Sequence, residues 1–94
     1  VKVKVKTFAN LRDILGKSEI EYEIEQGNTL GYLLQNMCQK YGESFEHQIR
    51  DPLTGTIIPL LILINEKVFR SVTDLNTPLN EGDIVTIMLP FDGG

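Results

Sequence analysis

The amino-acid sequence predicts an α+β domain in which one main helix lies across one face of a mixed sheet. Three observations carry this. Two short segments near the N-terminus alternate apolar and charged residues as a half-buried strand does. A segment in the middle repeats its apolar residues with helical spacing, and further apolar stretches toward the C-terminus have strand length. The 94 residues and a hydrophobic fraction of 41% suit one domain over residues 1–94. A chain of this size buries well over ~60% of the surface its unfolded form exposes, so it folds without disulfides or a structural metal.

From Val1 to Thr7 the valines 1, 3 and 5 face one way and Lys2, Lys4 and Lys6 the other. From Glu19 to Glu25, Ile20, Tyr22 and Ile24 oppose a row of glutamates. Antiparallel pairing of the two sets lysine against glutamate on the wet face, at ~0.2–1 kcal/mol per pair, so a hairpin is expected. Its connection holds a short helical turn over Asn10–Leu15 that ends at Gly16. Leu30, Leu33, Leu34, Met37 and Tyr41 then fall on one helical face, with Asn28 or Thr29 as N-cap and Gly42 as the stop. Gly31 weakens the first turn by ~1 kcal/mol against alanine.

Glu43 to Pro59 shows no clear period and reads as a long surface loop, with a turn at Asp51–Gly55. Leu60 to Ile64 is a continuous apolar run, expected as a central strand covered on both faces. Asn65–Lys67 turns the chain into a short return strand at Val68 and Phe69, and Asp74–Leu79 is a further turn. The last strand, Ile84 to Leu89, has Val85, Ile87 and Leu89 on one face and Ile84, Thr86 and Met88 on the other, with Val85 and Ile87 expected toward the helix and Thr86 and Met88 outward, and Pro90 stops it. This order of elements is the β-grasp arrangement.

A net charge of −4 argues against binding through nucleic-acid phosphates, which requires lysine and arginine. No apolar run approaches the roughly 20 residues of a membrane span, and no signal-peptide pattern follows the Lys-rich start, so a cytoplasmic protein is expected. Catalytic apparatus is sparse. His47 is the only histidine, without a second for a metal pair, and Cys38 lies beside the apolar helix face as a small hydrophobe. No metal site and no bound cofactor are expected.

The C-terminus differs. After Pro90 the sequence runs Phe91-Asp92-Gly93-Gly94, expected as a flexible arm over residues 90–94. Two glycines without Cβ let such an arm thread a narrow channel. A terminal carboxylate on Gly94, ionised at neutral pH, is a nucleophile toward the α-phosphate of ATP. Outward-facing Met88, with Leu89, Phe91 and Asp92 nearby, is expected to form a docking surface beside the arm.

Three stretches carry a family resemblance. Phe8-Ala9-Asn10-Leu11-Arg12-Asp13, Ile62-Leu63-Ile64-Asn65 and Leu79-Asn80-Glu81-Gly82-Asp83-Ile84-Val85, in this order and with the closing Gly-Gly, resemble the MoaD/ThiS-like sulfur carriers. That family has the ubiquitin-like β-grasp fold and includes the small subunit of molybdopterin synthase and the archaeal ubiquitin-like modifiers. The resemblance implies a carrier rather than an enzyme. An adenylyltransferase related to ubiquitin-activating proteins would use ATP on Gly94, converting it to a thiocarboxylate that donates sulfur, foremost in molybdopterin synthesis with the large subunit of molybdopterin synthase as partner. The alternative is conjugation of Gly94 to lysines of target proteins, and a third reading is an interaction module with an incidental glycine end. The family's usual Pro-Pro-Val-x-Gly-Gly tail is here Leu89-Pro90-Phe91-Asp92-Gly93-Gly94, so Phe91 and Asp92 must fit the receiving channel.

Overall fold

The computed structural model describes residues 1–90. The arm residues Phe91, Asp92, Gly93 and Gly94, on which the expected chemistry falls, lie outside the described residues. Among the described residues, five strands form one sheet: β1 (Lys2–Thr7), β2 (Glu19–Glu23), β3 (Leu61–Ile64), β4 (Lys67–Arg70) and β5 (Ile84–Met88), in the order β2-β1-β5-β3-β4. The β1–β5 pairing is parallel and the other three are antiparallel, which makes the sheet mixed. The charge pattern of the first two strands finds its match in the hairpin register, with Lys2 opposite Glu23, Lys4 opposite Glu21 and Lys6 opposite Glu19. Lys4 also reaches diagonally to Glu19 at 3.4 Å.

The described residues also form three helices: α1 (Ala9–Leu15), α2 (Leu30–Tyr41) and α3 (Glu43–Ile49). The helical turn expected before Gly16 is α1, closed by the Gly16 N–H donating to the Arg12 carbonyl at 2.8 Å. The main helix α2 starts at Thr29, whose Oγ1 accepts from the Tyr32 N–H at 3.2 Å. It buries Leu30, Leu33, Leu34, Met37 and Cys38, while Tyr41 is only half-buried. These side chains join Val3, Val5, Ile62, Val85 and Ile87 in one apolar core. Gly31 has a packing reason: a Cβ there would meet the Leu75 carbonyl oxygen at 3.1 Å and the Leu75 Cβ at 3.3 Å. The turn after Asp74 thus sits against the helix start, where the carbonyls of Thr77 and Leu75 accept from the Leu30 and Gly31 N–H groups, respectively, at 2.8 Å each.

Two expectations are corrected. The segment expected as a loop from Glu43 to Pro59 begins with a helix, α3, because Phe45 and Ile49, spaced i,i+4, are both fully buried. The run Leu60–Ile64 is not covered on both faces: β3 is interior to the sheet, but Ile62 and Ile64 point into the core while Leu61 is 37% exposed and Leu63 half-buried. The helices lie on one side only, so an apolar run acquires an outward face. Among the described residues no helix is long and apolar enough to cross a membrane.

Candidate functional site

Strand β5 is the element that leads to the expected arm. It is hydrogen-bonded along both edges, to β1 on one side and β3 on the other, with Val5 opposite Val85 and Ile62 opposite Ile87. Its start is fixed by a polar knot. Asp83, mostly buried, accepts from Asn65 Nδ2 at 2.7 Å and from the Asn80 N–H at 2.8 Å, while Asn65 Oδ1 accepts from the Ile84 N–H at 3.0 Å. Asn65 and Glu66 adopt left-handed backbone with φ of 51° and 73°, which turns β3 tightly into β4 and brings the Asn65 amide to this position.

At the other end Val85, Ile87 and Leu89 are buried and alternate with half-buried Ile84, Thr86 and Met88, as the period-2 reading predicts. Leu89 is 2% exposed. Its side chain therefore belongs to the core, which corrects its expected place in a docking surface: its parity along the strand matches Ile87, not Met88. Leu89 anchors the chain directly before exposed Pro90. A groove lined by Pro59, Leu61, Arg70, Val72 and Pro90 flanks this point. Ser71 holds its wall, with Oγ accepting from the Leu60 N–H at 2.7 Å and donating to the Ile58 carbonyl at 2.6 Å.

On the outer face, Met88 lies opposite Leu61, which lies opposite Arg70; the next row runs Val68, Leu63, Thr86 and Lys6. Val68 is 58% and Val72 60% exposed. Of the residues expected for docking, Met88 is thus on this face, Leu89 is not, and Phe91 and Asp92 are outside the described residues. Sequence reasoning missed Leu61, Leu63 and Val68; the odd-numbered parity of Leu61 and Leu63 against Ile62 and Ile64 was the available signal.

His47 is exposed and Cys38 buried. Burial pushes the Cys38 thiol up from its ordinary value, with nearby Arg50 opposing the shift. Such a thiol is a poor nucleophile at neutral pH. Among the described residues no group of three or more His, Cys, Asp or Glu side chains is placed to hold a metal ion. The described part of the chain therefore offers a strand anchored in the core up to Leu89 and an apolar outer face beside it.

The whole chain aligns with the whole of small archaeal modifier protein 3 from Haloferax volcanii at 24% identity. The fold of this chain matches the crystal structure of SAMP1 from Haloferax volcanii over all of both chains, with a TM-score of 0.81 and 19% identity. It also matches, over all of both chains with a TM-score of 0.60 and 22% identity, a chain from the complex of subunits 1 and 2 of the molybdopterin-converting factor of Helicobacter pylori. The family model described as the ThiS family matches residues 5–94, from the first strand through the closing glycines. This chain belongs to the ThiS family of ubiquitin-like sulfur carriers and modifiers, small proteins that are not themselves catalysts.

Proposed function

We propose that the chain is a sulfur carrier whose working group is the Gly94 carboxylate. The observation that carries this reading is the placement of β5: a strand paired on both edges, sealed into the core by Leu89, and followed in the sequence by Pro90 and then Phe91-Asp92-Gly93-Gly94. A rigid root with a short arm limits where the carboxylate can be, which lowers the entropic cost of bringing it into a partner's active site. In the partner, a carboxylate oxygen attacks the α-phosphorus of ATP and pyrophosphate leaves. Hydrosulfide, as the sulfur donor, then attacks the carbonyl carbon of the adenylate, AMP leaves and a proton is released, giving the thiocarboxylate. The chain itself binds no cofactor; ATP belongs to the activating adenylyltransferase.

The outer apolar face, with Met88, Leu61, Leu63 and Val68, serves as the docking surface, and Phe91 and Asp92 enter the receiving channel. The complex of the two Helicobacter pylori subunits supports the reading that the partner is a second subunit of a molybdopterin-converting factor; on our proposal that subunit receives the sulfur, in the cytoplasm. A second reading, conjugation of Gly94 to lysines of target proteins, is favoured by the full-length similarity to small archaeal modifier protein 3. Both begin with the same adenylate.

The test is ATP-dependent pyrophosphate release by the adenylating enzyme of the same organism. Deleting Gly94 is expected to abolish it while leaving thermal stability unchanged. Gly93→Val is expected to be nearly as damaging, since a β-branched residue removes conformations and adds bulk. An alanine appended after Gly94 shifts the carboxylate by up to ~3.3–3.6 Å, several times the ~1 Å misplacement that already costs about a hundredfold. Full turnover by the truncated or extended chain would refute both readings. Intact mass then separates them: a carrier exchanges one oxygen for sulfur, whereas a modifier appears in larger covalent species.

A further inference from the structure

The connection between α3 and β3 is built more tightly than a linker requires. Arg50 and Ile57 form an antiparallel bridge, the Asp51 N–H donates to the Thr56 carbonyl, and the Gly55 N–H returns to the Asp51 carbonyl, both at 2.8 Å. The Asp51 carboxylate accepts from the Leu53 N–H at 2.8 Å, and Arg50 Nη1 donates to the Gly55 carbonyl at 2.7 Å. The Thr54 and Thr56 hydroxyls bond to each other at 2.7 Å. Ordering a loop this way costs conformational entropy. What the loop holds out is apolar: Leu53 is 94% exposed. A scattered surface leucine is ordinary. A leucine on the tip of a hydrogen-bonded loop is a side chain whose position has been fixed before any contact is made.

Its place in the fold gives that contact an address. β3 begins at Leu61, opposite Met88, at the end of the sheet where β5 delivers Pro90. Pro59, in the segment leading from the loop to β3, lines the same groove as Pro90. Leu53 is six residues before Pro59, a span of at most ~20 Å even for extended chain. A standard protein interface covers ~800 Å² on each partner, a disc roughly 16 Å in radius. Such a footprint is ~32 Å across, so one that includes the groove beside Pro90 has the breadth to take in the loop tip as well, starting from Pro59, Leu61 and Val72 in that groove.

We propose that the Arg50–Ile57 loop is a second contact for the protein that takes the C-terminal arm, with Leu53 entering an apolar pocket on that protein. The inference rests on the arm chemistry proposed above. It assigns the loop to the same partner because Pro59, where the loop runs on toward β3, lines the same groove as Pro90 at the root of the arm.

The experiment is steady-state adenylation by the activating enzyme of the same organism, read as pyrophosphate release with the full chain as the varied substrate. Wild type, Leu53→Asp and Leu53→Met are compared, and sedimentation velocity is run on each. Leu53→Asp is expected to raise KM about tenfold or more, the equivalent of losing one buried leucine contact, with kcat and melting temperature unchanged. Leu53→Met is expected to stay within about threefold of wild type, because methionine adapts to an apolar pocket. Equal KM for wild type and Leu53→Asp overturns the loop contact and leaves the arm chemistry standing. A wild-type dimer that Leu53→Asp dissolves with KM unchanged assigns the leucine to a second copy and also overturns the proposal. No pyrophosphate release from wild type removes the arm chemistry and this inference together.

Discussion

The outer face of the sheet is two surfaces with different logic. Over β1 and β2 it is a ladder of lysines against glutamates, register-matched and linked by the Lys4–Glu19 pair. Over β3, β4 and the end of β5 it carries Leu61, Leu63, Val68 and Met88, of which Leu61 and Val68 remain exposed. The charged half is complementary to itself. It also protects β2, the edge strand, since charges on an edge discourage pairing with another chain. The apolar half has no such complement within the described residues, and it lies at the end from which Pro90 departs. A surface that completes its own interactions stabilises the fold; one that leaves them open fits a contact with another molecule.

The sharpest way to break this comparison is to change one strand on its two sides. Ile62→Ala, on the buried side of β3, is expected to cost ~2–5 kcal/mol in denaturant unfolding, as does Leu34→Ala on the facing helix. A loss below ~0.5 kcal/mol for either would misplace the core. Leu63→Asp or Met88→Asp, on the open side, is expected to weaken binding of the activating enzyme by about tenfold or more, because a charge must be desolvated in an apolar contact. The fold should persist in both. Unchanged affinity in both variants would dissolve the distinction between the halves.

Lys4→Ala in the charged half is expected to leave partner affinity unchanged and to cost ~0.2–1 kcal/mol of stability, less at high salt, since both members of its ion pair are well exposed. A partner that binds Lys4→Ala much more weakly would extend the docking face across the whole sheet. The smallest effect expected is alkaline. Burial, then neighbouring Tyr41 and Tyr32, raises the Tyr22 phenol above 10.0, and burial raises the Cys38 thiol above 9.0. Both groups hold their protons more tightly when folded, so their stabilisation is present below the unfolded values and is lost as pH rises through the folded ones. Melting temperature should therefore stay level with respect to these groups up to about pH 9 and decline above it. Cys38→Ser and Tyr22→Phe should each reduce the slope of that decline.

The elements legible in the sequence are those whose burial is one-sided and long enough to show a period. α2 repeats its apolar face over three turns, and β1 and β2 alternate with charge on the outer side. α3 was illegible because seven residues carry only Phe45 and Ile49 as core contacts and no side chain caps its start. The outward leucines of β3 were hidden by composition, since an apolar run does not say which of its faces is covered. The Asn65–Asp83 contact joins residues eighteen positions apart, and no local pattern announces it. For the site, the outward position of Met88 was readable, the inward direction of Leu89 follows from its parity with Ile87, and the glycine end lies outside the described residues. The Arg50–Ile57 loop was readable as a turn at Asp51–Gly55 but not as an ordered support for Leu53.

The parallel pairing of β1 with β5 has a consequence for the order in which the molecule forms. Lys4 lies opposite Ile84 and Thr7 opposite Ile87, so the two strands that meet at the middle of the sheet come from opposite ends of the sequence. Contacts of such long sequence separation are closed late and slowly, after the local helices and hairpins. During synthesis, which proceeds from the N-terminus, β1, β2 and the helices exist before β5 can take its place. A chain whose middle is misfolded leaves no slot for β5, and without that slot the arm has neither a fixed root nor a neighbouring docking face. Under the proposed function, access to an activating enzyme reports on completed folding, and slow-folding variants of the core should show a lag in adenylation that matches the rate at which the central strand is inserted.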